Sequence, residues 1–292
     1  MRRAIAGVVC TAALIVGVSA YRLASPFPSS IGRSPGDLPA QPVEFAGAES
    51  ATLHGWFVPS ESHKGAVILM HGVHANRLQM LGRARFLHRA GYSTLLFDSR
   101  AHGESTGAAI TFGYLESKDA NAALQLVHNL SPGQPVGVVG VSLGGAAAVL
   151  AEPRLNVDAL VMESVYPTIQ QAIEDRLRIY LGPLGAPFTP LLSAMIRPRL
   201  GFAPDQLRPI DRVRALPIPK LIAFGTRDRN TTPDESRQLF EAAAAPKQMW
   251  SVEGAAHVDL YQFAGAEYER QLLSFFERYL AKPTRSLVAP RD

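Results

Sequence analysis

The chain has 292 residues, 47% of them hydrophobic and 18% charged, which suits one large α/β domain or two small ones around a substantial core. Its 29 Lys+Arg against 25 Asp+Glu leave a formal charge of +4, too small and too scattered for a nucleic-acid binder. With one cysteine, Cys10, an intrachain disulfide is excluded, and no zinc-type Cys/His spacing or internal repeat is present.

Arg2 and Arg3 precede an uncharged apolar stretch, residues 4–21, followed by Arg22 and a Pro/Ser/Gly-rich run over 25–42. A basic start, an apolar middle and a polar exit form the layout of an export signal, with Val18-Ser19-Ala20 as a cleavage point. About 18 apolar residues is also nearly enough to span a bilayer. Residues 1–24 are therefore read as a cleaved signal or an uncleaved membrane anchor, and 25–42 as a linker. Both readings put the rest of the chain outside the cytoplasm by the positive-inside bias. Cys10 lies in the apolar segment, so the exported domain has no cysteine nucleophile.

From residue 43 strands and helices alternate. Residues 43–45 and 53–58 read as an antiparallel pair rich in β-branched and aromatic side chains. Ala66–Met70, 94–97, Val136–Val141, 160–162 and 221–224 are short continuous apolar runs, which suit parallel strands buried on both faces; 249–252 is the last strand. Helical patterns cover 78–89, 115–130, 144–152, 234–244 and 267–280. Within 115–130, Leu115, Ala122, Leu126 and Leu130 form an apolar stripe, with Glu116, Asp119 and Gln125 on other faces. This alternation predicts an α/β fold, a mostly parallel sheet wrapped by helices on both sides.

About sixty residues separate strands 160–162 and 221–224, far more than a crossover needs. They include an amphipathic helix at Ile169–Leu181 and another helix at 191–199, broken up by Pro183, Pro187, Pro190, Pro198 and Pro204. We read residues 164–214 as a small, mildly basic cap over the strand ends.

Ser142 carries the strongest chemical signal. It stands in Gly140-Val141-Ser142-Leu143-Gly144-Gly145 between a buried strand and a helix, as a nucleophile elbow requires. Gly140 and Gly144 give the strained turn room, and the following helix points unpaired N–H groups at developing negative charge. A serine hydroxyl needs a base, and the base an orienting carboxylate. His257, in a small-residue loop after the last strand, is the candidate base. Asp228, just past strand 221–224, is the candidate acid, with Glu163 in reserve; Asp259 is too close to His257 along the chain.

For the oxyanion the candidate donors are the Leu143 N–H and the Val73 N–H, in the turn His71-Gly72-Val73-His74. Gly72 is read as permitting close backbone approach and His71 as bracing that turn. Asp98, His102 and Glu104 follow another strand and admit two readings, a metal-binding cluster or a hydrogen-bonded turn supporting the site. The second is adopted, with no metal at the site.

His71-Gly72, the turn 98–107 (similar to D-x-R-G-x-G-x-S-x-G), residues 140–145, and Asp228 and His257 in that order resemble the α/β-hydrolase superfamily. Within it the chain looks like the serine aminopeptidase and Bem46-like branches, over roughly residues 43–280. The resemblance implies an eight-stranded sheet, hydrolysis through an acyl-serine intermediate, and no cofactor. Ala101 departs from it, standing where that turn usually carries glycine. The function expected is a serine hydrolase cleaving carboxylic esters of a small-molecule or lipid-like acyl substrate, with thioesters and amides open to the same machinery. The alternative is a catalytically silent binding protein of the same shape.

Overall fold

The computed structural model describes residues 17–18 and 21–280. Cys10 and the C-terminal tail 283–292 lie outside the described residues, as does most of the segment read as signal or anchor.

Eight strands form the main sheet: β2 (Gln41–Ala46), β3 (Thr52–Val58), β4 (Ala66–Met70), β5 (Ser93–Phe97), β7 (Val136–Val141), β8 (Ala159–Glu163), β9 (Lys220–Gly225) and β10 (Lys247–Val252). Two residue pairs, β1 (Phe27–Pro28) and β6 (His102–Gly103), make a separate small sheet. The main order is β10-β9-β8-β7-β4-β5-β3-β2, and β3 alone runs against the others. Every strand expected from the sequence is present. The continuous apolar runs are buried end to end because helices cover both faces of the sheet.

The helices are α1 (Leu81–Arg89), α2 (Glu116–Leu130), α3 (Leu143–Leu150), α4 (Ile169–Leu181), α5 (Thr189–Leu200), α6 (Pro209–Val213), α7 (Pro233–Ala242), α8 (Leu260–Ala264) and α9 (Ala266–Tyr279). One core joins α2, α3 and parts of the cap to one set of strand side chains. The other joins α1 and α9 to the opposite set.

Helix α2 corrects one sequence reading. Its buried face is Ala120, Ala123, Leu124 and Val127, while Leu130 is exposed. Glu116 and Asp119, assigned to polar faces, are buried with partners. Glu116 accepts the Thr111 and Gly113 N–H groups, and Asp119 forms a bidentate pair with Arg100 at 2.6 and 2.7 Å. Buried carboxylates with such partners are satisfied, so polarity alone misjudges the inward face.

The stretch read as a linker lies along the domain. Phe27–Pro28 pairs in parallel with His102–Gly103, and both oxygens of Asp37 receive Arg85 at 2.7 and 3.0 Å.

Between β8 and β9 stands the cap, α4 to α6. Thr168 caps α4 by accepting the Gln171 N–H, and Gly182 (φ 60) ends it in a conformation that favours glycine. A 3-10 stretch, Gly182–Phe188, leads into α5, which packs back on α4. On the core side, buried Asp175 of α4 lies beside buried Glu235 of α7, which burial and this second carboxyl push up to about 8. Asp175 is raised as well, chiefly by burial. Around the pair stand Arg176, Arg178 and Glu174 from α4 and the Thr232 N–H that Glu235 accepts.

An acid whose folded pKa is raised binds protons in the folded state that the unfolded chain has released. Its stabilising contribution is complete below the unfolded value near 4.5 and is lost as pH rises through about 8. The thermal midpoint should therefore fall between those pH values. Glu235→Gln, which keeps an oxygen for Thr232 and a donor for Asp175, should flatten that slope. An unchanged slope in a midpoint-against-pH series would show that the pair does not share a proton.

Candidate active site

Ser142 sits at φ 48, ψ −107, between β7 and α3. A non-glycine residue there costs about 1–3 kcal/mol and persists only where its surroundings enforce it. The enforcement is steric. A Cβ on Gly140 would lie 2.4 Å from Gly145 Cα, and one on Gly144 would lie 2.4 Å from Met70 O of β4. Strand, turn and helix thus touch through bare backbone, and the Ser142 N–H donates to Glu163 O of β8 at 2.7 Å.

Asp228 and His257 come from the loops after β9 and β10, which are parallel neighbours in the sheet. Two backbone bonds tie these loops together: Thr226 N–H to Val252 O and Arg227 N–H to Ala255 O. Gly225 makes the approach feasible, since a Cβ there would meet Ala255 O at 2.3 Å. Asp228 is 2% exposed; its Oδ1 accepts the Asn230 and Thr231 N–H groups at 2.8 and 3.0 Å. Its Oδ2 lies 2.8 Å from His257 Nδ1. The carboxylate is fixed by two amides, and the imidazole is oriented by what remains of it. Ser142, Glu163, Asp228 and His257 all stand at or just beyond the C-terminal ends of adjacent parallel strands β7 to β10, the rim where α/β sheets bind ligands. Among the described residues no hydrogen bond joins Ser142 Oγ to His257 Nε2; such bonds are commonly long in unliganded enzymes.

Cap helix α4 reaches this loop. Arg176 Nη1 donates to Asn230 O at 2.9 Å, two residues from Asp228. Sequence reading did not find Arg176, nor Gln79, whose Oε1 accepts the Gly72 N–H at 2.8 Å and fixes the turn after β4. Neither residue belongs to a local motif.

In that turn the ring of His71 receives the Ser99 N–H on Nε2 at 2.9 Å, and its Nδ1 faces Gly72 O at 2.7 Å. His102 repeats the pattern, with the His74 N–H on Nε2 and Arg100 O at Nδ1. This network assigns the proton of each ring to Nδ1. Burial pushes His71 down to about 3 and His102 down to about 4, so both are neutral braces. Val73 and Leu143 meet around one small apolar cluster with Ala101 and Ile110. Gly72 departs from expectation: a Cβ there would meet nothing closer than 3.7 Å, so the folded chain itself does not demand glycine.

Of the residues that suggested a metal, Asp98 is buried against Arg77 Nη2 at 3.0 Å and accepts the Arg77 and Glu104 N–H groups. Glu104 also pairs with Arg77. The cluster is a hydrogen-bonded turn. Ala101 adopts φ 57, a conformation that favours the glycine usual at this place.

Glu163, the reserve acid, is engaged elsewhere. Its carboxylate receives buried Arg83 at 2.7 Å and Tyr268 Oη, while Arg83 also contacts Asp259 at 3.0 Å. Removing Glu163 takes one of two carboxylates from buried Arg83 and the acceptor from Tyr268, so Glu163→Ala should cost about 3 kcal/mol in urea unfolding, the low end for a broken buried pair because Asp259 remains. Ester hydrolysis by the folded fraction should persist. A fully folded but inactive Glu163→Ala protein would return this residue to the catalytic acid's role.

The same fold recurs in solved proteins. A Pyrococcus furiosus esterase, Pf2001, superimposes with a TM-score of 0.73 at 21% identity, covering 89% of this chain and 99% of its own. An esterase from Exiguobacterium antarcticum does so with a TM-score of 0.61 at 16% identity, covering 81% and 100%. The family model described as serine aminopeptidase S33 matches residues 61–196, the span that holds the elbow and the turn after β4. The chain has the α/β-hydrolase fold, and over residues 61–196 it is similar to that serine aminopeptidase family. Among curated relatives of this chain, the uncharacterised protein Rv2307c of Mycobacterium tuberculosis is 28% identical over 234 residues, 79% of this chain and 75% of that protein. The uncharacterised protein YqkD of Bacillus subtilis is 22% identical over 229 residues, 77% and 75% respectively.

Proposed function

We propose that the chain is a serine hydrolase that cleaves carboxylic esters through an acyl-serine intermediate, with Ser142 as nucleophile, His257 as base and Asp228 as the orienting acid. The observation that carries this reading is the Asp228–His257 contact on the sheet rim where Ser142 holds a strained elbow conformation. The solved esterases of the same fold favour esters over amides.

In this mechanism His257 Nε2 takes the proton from Ser142 Oγ as that oxygen bonds to the acyl carbon. The carbonyl electron pair moves to oxygen, where the Val73 and Leu143 N–H groups receive it. The C–O bond to the leaving group then breaks, and His257 returns the proton to the departing oxygen. Water repeats the cycle, releasing the acid and Ser142. Asp228 stays ionised, holding the ring with its proton on Nδ1 and stabilising the imidazolium. The chemistry draws only on these groups. The N-terminal segment, as signal or anchor, would hold this domain outside the cytoplasm.

Treating the protein with a fluorophosphonate and mapping the adduct by mass spectrometry tests the assignment, beside a p-nitrophenyl ester series of increasing chain length. A single adduct on Ser142 and ester turnover are expected. A wild-type protein inert to every serine-directed probe would favour a binding protein instead.

A further inference from the structure

The cap contains an apolar surface that the fold does not cover. The stretch Ile169–Leu200 is apolar enough by composition to cross a membrane, yet only 11% of its most apolar eighteen-residue window is buried. It is broken at Gly182 and folds back on itself, so it is a hairpin lying on the domain. Its turn carries Tyr180 at 79% and Leu184 at 78% exposure, with Leu181 and Leu191 also exposed. Contiguous exposed apolar side chains of this kind mark an interaction surface.

Charge identifies the partner. From residue 176 to 204 the sequence holds four arginines (Arg176, Arg178, Arg197 and Arg199) and no carboxylate. Arg197 is exposed beside the apolar side chains, and Arg178, also exposed, is paired with Glu174 at 2.6 Å one turn back. Two copies meeting through this hairpin would set like charges against each other, whereas an anionic phospholipid surface would neutralise them. Apolar and aromatic side chains flanked by arginines form the pattern of an interfacial membrane contact.

The path of the chain points the same way. The end of the apolar N-terminal segment reaches α5: a Cβ on Gly17 would lie 3.8 Å from Met195 Cε, and Arg199 stacks 4.5 Å from the Tyr21 ring centre. Val18, Tyr21, Leu23 and Phe27 are exposed there. Leu23 O contacts His74 Nε2 at 3.2 Å, next to the proposed oxyanion donor Val73. The cap hairpin, the arriving apolar segment and the turn after β4 thus adjoin one another.

We infer that the α4–α5 hairpin docks on an anionic bilayer surface, so that the catalytic rim is fed by acyl esters partitioned into that bilayer. The substrate part of this inference rests on the hydrolase reading above; the docking part does not.

The test uses the full chain with Cys10→Ala and Leu184→Cys, labelled with an environment-sensitive fluorophore. The protein is reconstituted with phosphatidylcholine vesicles, with or without phosphatidylglycerol. On the anionic vesicles we expect a blue shift, a several-fold rise in intensity, and quenching by nitroxide lipids. The same label at Arg270→Cys, on the exposed side of α9, should show none of these. Leu184→Asp with Leu191→Asp should slow hydrolysis of vesicle-embedded esters severalfold and leave a water-soluble short ester unaffected. A Leu184 label that stays in water on both vesicles would overturn the docking, and so would one shielded without lipid in proportion to protein concentration. A shielded label on a protein that no serine probe modifies would keep the docking and remove the hydrolase reading.

Discussion

Replacing Ser142 by alanine is expected to abolish fluorophosphonate labelling and to lower ester turnover by about 10⁴-fold or more, the scale on which a serine triad fails without its nucleophile. Alanine keeps the Cβ and therefore the steric setting of the elbow. The glycine contacts at positions 140, 144 and 145 and the Ser142 N–H bond to Glu163 O involve no side-chain oxygen. The unfolding midpoint should therefore shift by no more than about 0.5 kcal/mol, as for a substitution that breaks no packing. Undiminished labelling of the alanine variant would take Ser142 out of the mechanism.

Asp228→Asn should be nearly as damaging, and the hydrogen bonds around Asp228 give the reason. Oδ1 accepts two backbone N–H groups, so an asparagine must put its carbonyl oxygen there. Its NH₂ then takes the place of Oδ2 and donates to His257 Nδ1. That forces the imidazole proton onto Nε2, the nitrogen that has to accept from Ser142. A loss of about 10⁴-fold in kcat with little change in KM follows, as in other Ser-His-Asp sites where the acid becomes an amide. A loss smaller than about tenfold would mean that another group orients the base.

The parts of this molecule that could be read from sequence are those whose cause is local. Strand runs such as Ala66–Met70 and Val136–Val141 announce burial on both faces through their own composition. The elbow is legible because Gly140, Gly144 and Gly145 must each be bare for the turn to close. The order of Asp228 and His257 suggested their roles, but only the touching loops after β9 and β10 bring them to 2.8 Å. What stayed hidden depends on partners far apart in the chain. Arg83 meets Glu163 and Tyr268 across separate elements, and Asp175 meets Glu235 across the cap boundary. The same blindness misplaced the inner face of α2, where Asp119 is buried because Arg100, nineteen positions earlier, waits for it.

Arg176 belongs to cap helix α4, yet its guanidinium rests on the backbone that presents Asp228. The cap and the orienting acid are therefore mechanically linked. A chimera that borrows its roof from a homologue, without an arginine at the corresponding place, would loosen that acid although no residue of its loop had changed.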